Sequence, residues 1–344
     1  MPSVSPQGLQ TLVCSKASDV PSFVIDILFQ DEVHSNVVLP TLLKCALLER
    51  MGTPLLGQLW IICFVWNGNI CEIKLIATCT DGMMGKYPVF LYSPVPYSSL
   101  HSDPSIRTAL DAAGRELFKN VSTRRVYSVF GVDILSRTFV EIWTKNTRIQ
   151  PMAEPYYSSY ISYCTPQTFI NKSLTLPYGE YCDLRQATVN DRDGVARLNY
   201  IFAKDSEPFI LTWEQAYREA DELIHKGLVF VHTLGKEPKP AKIVSLVAFT
   251  RNTEKTATIT KVVTDPEARG RKCAERLTRF VCHQLFTRGR KENIALFVGV
   301  NNPAAKVYQR VGFVGIGENP APANGVEHWV EYGFDRQQVD LGHW

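Results

Sequence analysis

The sequence predicts an α+β protein, a mixed α/β sheet flanked by helices and arranged in two similar halves. Three observations carry this. Apolar residues recur at spacings of two in some segments and of three to four in others, so strands and helices are interleaved. The order of those elements is nearly the same in both halves. A length of 344 residues suits two domains of ordinary size.

The C-terminal half parses most readily. "YCDLRQAT" (residues 181–188) reads as a strand, followed by the helical stretches "VNDRDGVARLNYIFAK" and "TWEQAYREADELIHKG". The second of these sets Trp213, Ala216, Ala220 and Leu223 on one face and stops at Gly227. "LVFVHTL" and "AKIVSLVAFTRN" are strands joined by the turn-rich "GKEPKP", and "TATITKVVT" is a third, β-branched and alternating. A helix with Ala274, Leu277, Val281 and Leu285 on one stripe comes next. "NIALFVGV" is a strand, "NPAAKVYQRVG" a short helix entered by proline, and "FVGIG" and "HWVEYGF" are read as closing strands.

The N-terminal half follows suit. "LQTLVCSK" is a strand, "VLPTLLKCALLERMG" a helix, and "LWIICFVWNGNICEIKLIATCT" a hairpin turning at Asn67-Gly68 or Gly68-Asn69. "YPVFLYSPV" is a strand, and "DPSIRTALDAAGRELFKNV" a helix opened by Asp103-Pro104. "RRVYSVFGVDILSRTFVEIWTKN" then matches "ENIALFVGVNNPAAKVYQRVGF": each places Gly-Val at a strand end and an amphipathic helix after it. Gly131 and Gly299 are 168 residues apart, about half the chain, which favours a tandem repeat. The seam is expected in "YCTPQTFINKSLTLPYGEY", around residues 165–180, giving domains of 1–170 and 176–344.

Composition narrows the function classes. Hydrophobic content of 45% and charged content of 21% are globular values. A net charge of +3 gives no support to nucleic acid as the main partner. The apolar run "LWIICFVW" is far shorter than the ~20 residues of a membrane helix, and the N-terminus lacks the pattern of a secretory signal. Nine cysteines stand without a CxxC pair or metal-ligand spacing. The expectation is a cytoplasmic protein with reduced thiols, no metal and no membrane partner.

The chemistry concentrates in "VVTDPEARGRKCAERL", residues 262–277. A strand meets Asp-Pro, a basic turn and then a helix. Such a turn aims successive backbone N–H groups and the positive helix end at one point. Helix starts favour acidic residues, so Arg269, Arg271 and Lys272 oppose the dipole unless an anion sits there. A phosphate or pyrophosphate is the natural ligand. The segment is neither a Walker lysine loop nor a GxGxxG fingerprint, both of which need more glycine.

This segment resembles the pyrophosphate-binding motif of the GNAT superfamily of N-acetyltransferases, Arg/Gln-x-x-Gly-x-Gly/Ala. "NNPAAKVYQRVGF" resembles the family's second segment, an Asn followed by a helix that carries a Tyr and ends in Gly-Phe. The element order over residues 180–335 is also similar to the family's fold, whose central twisted sheet is mostly antiparallel. The resemblance implies acetyl-CoA as acyl donor and a primary amine as acceptor; a small molecule is expected, with metabolite, polyamine, antibiotic and protein lysine or N-terminus all open. It implies loop N–H groups from Gly270, Arg271, Lys272 and Cys273, with Arg269 opening the loop and Ala274 in the last small-residue position. Val262 and Val263 would face the pantetheine arm and the thioester carbonyl. Asn301 or Asn302 would hydrogen-bond the pantetheine, and Tyr308 would protonate the leaving thiolate. Tyr308 also reads as a core aromatic.

Lys272 departs from the pattern, standing where the family has glycine. It is expected either to sit in ordinary helical φ/ψ or to add a phosphate contact. No base for the amine stands out; His232, Glu327, His328 and Glu331 are candidates on predicted strands. The N-terminal half lacks the cationic loop, with Val140 and Asp133 at the positions matching Tyr308 and Asn301. It is read as a degenerate acetyltransferase-like domain without cofactor binding that walls the substrate cleft through "PYYSSYISY". The rival reading is a CoA-binding or structural pseudo-acetyltransferase.

Overall fold

The computed structural model describes residues 3–4, 8–82, 85–204, 206–236 and 239–343. The chain forms two compact units, Met1–Ser159 with Glu327–Trp344, and Tyr160–Val326.

The first unit contains β1 (Ser3–Val4), β2 (Leu9–Cys14), α1 (Ser22–Gln30), α2 (Leu39–Arg50), β3 (Leu59–Asn67), β4 (Ile70–Asp81), β5 (Lys86–Tyr92), α3 (Pro104–Asn120), β6 (Ser128–Val132) and α4 (Asp133–Thr147). The strands lie in the order β1-β2-β3-β4-β5-β6, antiparallel except for the parallel β5–β6 pair. The β3–β4 hairpin closes through Gly68-Asn69, since Asn67 pairs with Ile70 and Gly68 takes φ +62°. Helix α1 has no counterpart in the sequence reading: "SFVIDILFQ" is apolar at most positions, so no helical stripe stands out. Helix α3 begins where Asp103-Pro104 implied, with Asp103 accepting the Ser105 N–H at 2.9 Å.

The second unit follows with β7 (Tyr157–Cys164), which enters it at Tyr160, then β8 (Glu180–Gln186), α5 (Arg192–Lys204), α6 (Trp213–His225), β9 (Val229–Lys236), β10 (Lys239–Asn252), β11 (Thr256–Thr264), α7 (Cys273–Thr287), β12 (Asn293–Gly299) and α8 (Ala304–Val311). Its strand order is β7-β12-β11-β10-β9-β8, with β11 and β12 parallel. Alternation along β10 sends Leu246 and Ala248 to a cluster with α5 and α6, and Val247 and Phe249 to one with α7 and α8. A capping box between Thr212 and Gln215 starts α6. The turn read in "GKEPKP" falls on Glu237 and Pro238, outside the described residues.

Two expectations are corrected. "FVGIG" is not a strand: Gly315 and Gly317 take φ of +70° and +102°, and a Cβ on Gly315 would lie 2.6 Å from Val326. The expected domain limits of 1–170 and 176–344 also differ from the compact units. The last strand, β13 (His328–Gly333), pairs antiparallel with β6 from Trp329–Val132 to Gly333–Ser128. Trp329 and Val330 are buried there, and Glu331 Oε1 accepts the Ser128 hydroxyl at 2.7 Å. The strand after α4 goes to the second unit beside β12, while the strand after α8 goes to the first unit beside β6. Each sheet is therefore completed by a strand from the other half of the repeat, a pairing that hydrophobic periodicity cannot specify.

Candidate functional site

Strands β11 and β12 pair only from Thr256–Asn293 to Ile259–Leu296. Beyond that point residues 260–264 of β11 run on without a recorded β12 partner among the described residues. The register on the β10 side changes here: Phe249 faces Ile259 and Ala248 faces Lys261, so Thr260 is the extra residue of a bulge. A bulge increases local twist and bends the strand that carries it. The Asp265 N–H donates to Val244 O at 2.8 Å, and alternation then directs the backbone of Val263 to β10. The backbone of Val262 and Thr264 is left on the open edge. Of the two valines expected at the thioester, Val262 presents its main chain outward, while Val263 buries its side chain in the core under α5 and α6.

The turn after β11 is held by Asp265. Its Oδ1 accepts the Glu267 N–H at 3.0 Å, and its Oδ2 pairs with Arg197 Nη1 at 2.5 Å, while Arg197 also donates to Ile243 O. Burial alone would raise the Asp265 pKa, but the bonds from Arg197 and the Glu267 N–H hold it below the ordinary value. The sequence showed the Asp-Pro turn; it gave no sign that Arg197 on α5 would clamp it.

The residues of the basic turn then separate into different roles. Arg269, Gly270, Arg271 and Lys272 are all exposed. Gly270 takes φ +78°, and a Cβ there would meet nothing within 4 Å, so its backbone conformation rather than crowding accounts for the glycine. Lys272 takes φ 58° and ψ 23°, the left-handed region. The expectation of ordinary helical dihedrals is thus overturned: the family's glycine position keeps its positive φ although lysine fills it. For a residue with a Cβ this conformation costs about 1 kcal/mol. Lys272→Gly should therefore stabilise the folded chain by about that amount, read as a rise of about 2 °C in Tm. An unchanged or lower Tm would show that the strain is relieved or offset by contacts of the lysine side chain.

No protein acceptor is recorded, among the described residues, for the backbone N–H groups of Gly270, Arg271, Lys272, Cys273, Ala274 or Glu275. Arg276 N–H is the first to bond, to Lys272 O at 3.0 Å. These six donors belong to one turn and the start of α7, where the helix dipole is positive. Arg271 is partly committed elsewhere, its Nη2 lying 2.5 Å from Glu180 Oε1. Of the three cations expected at the anion, Arg269 and Lys272 have no ion pair among the described residues. Arg276 and Arg279 are buried and structural, donating to Arg271 O and Thr175 O, and to Ile170 O and Glu275 respectively. Cys273 is a buried thiol whose pKa is raised by desolvation, against the lowering influence of Arg276 and Arg271.

The two asparagines of the second motif differ in local role. Asn302 Oδ1 accepts the Ala304 N–H at 2.9 Å and so caps α8, whereas Asn301 is exposed and makes no such cap. Tyr308 is 8% exposed and packs edge-on against Phe313, with ring centroids 5.9 Å apart. It lies in the core cluster under α7 and α8, as its reading as a core aromatic implied.

The base candidates scatter. His232 is fully buried on β9, with neither ring nitrogen at hydrogen-bonding geometry. Desolvation, reinforced by the charge of Arg276, lowers its pKa to about 4, so it is neutral at pH 7. Glu327, His328 and Glu331 belong to the first unit, not the second. His328 Nε2 lies 2.8 Å from Ser158 Oγ, and Glu331 is committed to Ser128. The sequence reading missed Glu219: α6 brings it into an ion pair with Lys261 on β11, and its Oε2 is buried without a recorded partner. Its helical face was legible, but its pairing with β11 was not.

Residues 198–313, from within α5 to just past α8, match the family described as Acetyltransferase (GNAT) family. No curated protein matches the sequence. Among solved structures, a Drosophila protein is similar at 12% identity over 94% of this chain and 98% of that one, with a TM-score of 0.58. A GCN5-related N-acetyltransferase from Sphaerobacter thermophilus is similar at 13% identity over 98% of this chain and 99% of its own, with a TM-score of 0.55. A tandem GNAT protein of the clavulanic acid biosynthesis pathway, solved without acetyl-CoA, is similar at 12% identity over 94% of this chain and 97% of that one, with a TM-score of 0.52. The described residues contain no helix long and apolar enough to cross a membrane. The mixed sheets with an open parallel edge, the row of unbonded N–H groups after β11 and the family match agree: the segment 198–313 belongs to the GNAT acetyltransferase family, within a chain that has the tandem GNAT fold.

Proposed function

We propose that the second unit is an acetyl-CoA-dependent N-acetyltransferase that acts on a small primary amine. The observation that carries this reading is the run of unbonded N–H groups from Gly270 to Glu275 next to the open edge of β11. That run fits a pyrophosphate, and the free main chain of Val262 fits an extended amide-bearing arm. Acetyl-CoA would supply an activated thioester, whose acetyl group passes to the amine with release of the thiol. Arg269 and Lys272 add positive charge at the pyrophosphate, while Asp265 and Arg197 keep the turn in shape. Asn301 is the asparagine left to hydrogen-bond the arm. The outward N–H of Val262 is the donor assigned to the thioester oxyanion, and Tyr308 is the acid assigned to the departing thiolate.

The rival, a CoA-binding protein without turnover, draws support from the burial of Tyr308. The two are distinguished by incubating the full chain with acetyl-CoA and a panel of amines while following free thiol. Turnover with at least one amine is expected, and Tyr308→Phe should lower kcat about tenfold or more while leaving CoA affinity within about twofold. Tight CoA binding with no thiol release on any amine would establish the rival. Failure to bind CoA would remove both.

A further inference from the structure

Two side chains of the second unit carry buried polar atoms that the fold leaves unused. Asn199 on α5 is fully buried, and neither its Oδ1 nor its Nδ2 has a hydrogen-bond partner among the described residues. Glu219 on α6 pairs with Lys261 through Oε1, while its Oε2 is buried with no such partner. A buried polar atom left unpaired lowers stability, so each of these calls for an explanation. The ion pair is not sealed off: the side chains of Glu219 and Lys261 keep 13% and 14% of their exposure.

The topology brings both to the same stretch of β11. Midway along α5, Arg197 reaches Asp265; near its end, the Phe202 ring lies 5.4 Å from the Lys261 ammonium. Helix α5 therefore runs along β11 from residue 265 toward 261, and Asn199 stands between those two contacts. It is on the inner face, because Val195 and Phe202, one turn to either side, pack in the cluster that holds Val263. From α6, Glu219 arrives at Lys261, and its neighbour Ala220 belongs to the same cluster. Among the described residues, Lys261 is the charged group recorded against Glu219. Residues 261–265 are also the stretch whose backbone is open at Val262 and Thr264. An amide oxygen and a carboxylate oxygen, both acceptors, thus flank the strand where the thioester is assigned.

We infer that Glu219 is the base for the acceptor amine and that Asn199 holds that amine, an inference that rests on the acetyltransferase reading above. One N–H of the ammonium donates to Glu219 Oε2 and a second donates to Asn199 Oδ1. The first proton passes to Glu219 and leaves a lone pair on nitrogen. That pair forms the N–C bond to the acetyl carbonyl as the C–S bond breaks. A second proton then leaves the nitrogen and makes up the one that the sulfur takes.

The test assays propylamine, phenethylamine and spermidine with acetyl-CoA on the full chain and two variants, and follows amine binding to the CoA-loaded chain by calorimetry. Glu219→Gln should lower kcat about 100-fold or more near neutral pH, with CoA affinity unchanged. Its residual rate should climb about tenfold per pH unit, since only amine that is already neutral can react, whereas the wild-type rate stays level over the same range. Asn199→Leu, similar in volume, should weaken amine binding about tenfold while Tm holds or rises, because a buried unpaired amide is removed. A Glu219→Gln variant with wild-type kcat, or with a pH profile parallel to the wild type, would overturn the base and leave the acetyltransferase reading standing. Unchanged amine binding in Asn199→Leu, or a lowered Tm, would remove Asn199 from the site. Absence of turnover of all three amines by the wild-type chain, with CoA bound, would overturn the inference together with that reading.

Discussion

A chain that ends at Val326 is expected to lose the cooperative folding of its first unit, although the removed residues lie at the far end of the sequence. Strand β13 covers the edge of β6 through five register pairs, from Trp329 to Gly333. Its removal exposes those backbone groups together with the ring of Phe130, which packs on Trp329 with centroids 5.4 Å apart. Further ties are lost, among them Phe334 N–H to Tyr127 O at 2.9 Å, Tyr332 hydroxyl to Asp133 at 2.9 Å, and Arg124 to Asp340 at 2.8 Å. Trp329 is 1% exposed, so Trp329→Ala alone should cost about 3–5 kcal/mol. Hydrogen exchange is the appropriate measurement. Amides of β5 and β6 should lose protection, while those of β10 and β11 keep theirs. For the same reason a fragment of residues 176–344 should fold poorly, since it lacks β7 and carries β13 without β6, and a fragment of 160–326 should fold better. Equal protection in the shortened and full chains would show that β13 is an accessory to the first sheet.

Reversing both uncommitted charges of the basic turn, Arg269→Glu with Lys272→Glu, should raise the CoA dissociation constant about 100-fold. The two exposed cations contribute charge, and the backbone N–H groups contribute directed hydrogen bonds. Placing two carboxylates there adds repulsion to the loss of attraction. Neither side chain supports the fold: both are exposed, and the turn is held instead by Asp265 and Arg197. The variant should therefore keep a native spectrum. The defect should shrink at high salt, because exposed charges are screened within about 10 Å at 0.1 M. Arg271→Glu should also disturb the neighbouring Glu180 pair, which makes it a poorer probe. CoA affinity unchanged by the double reversal would move the anion site away from this turn. Comparison with Lys272→Gly separates the two properties of that residue. A more stable variant with weaker CoA binding would mean that lysine is kept for its charge at the expense of strain.

Much of the candidate site is legible from the residues because its determinants are local. A strand, Asp-Pro, a glycine and a helix start adjoin one another in "VVTDPEARGRKCAERL", and their order alone directs N–H groups to one point. Asn302 and Tyr308 sit similarly close to the strand end that positions them. What the sequence does not reveal is which cations are free. Glu180, 91 positions away, engages Arg271, and Arg197, 68 positions from Asp265, locks the turn. The positive φ of Lys272 is also hidden, since lysine gives no conformational hint where glycine would.

The sequence by itself determined most of the element types, though not α1 or the loop at "FVGIG", together with the tandem order and the basic strand-to-helix turn, because periodicity, capping and turn chemistry act over a few residues. Only the tertiary structure decided which strand completes which sheet. β13 could satisfy its alternating pattern against either half, and the choice rests on the burial of Trp329, Val330 and Glu331 against β6. That choice also carried Glu327 into the first unit, beside His34 and Asp31. Residues almost three hundred positions apart became neighbours there through strand pairing, a long-range term that no local pattern encodes.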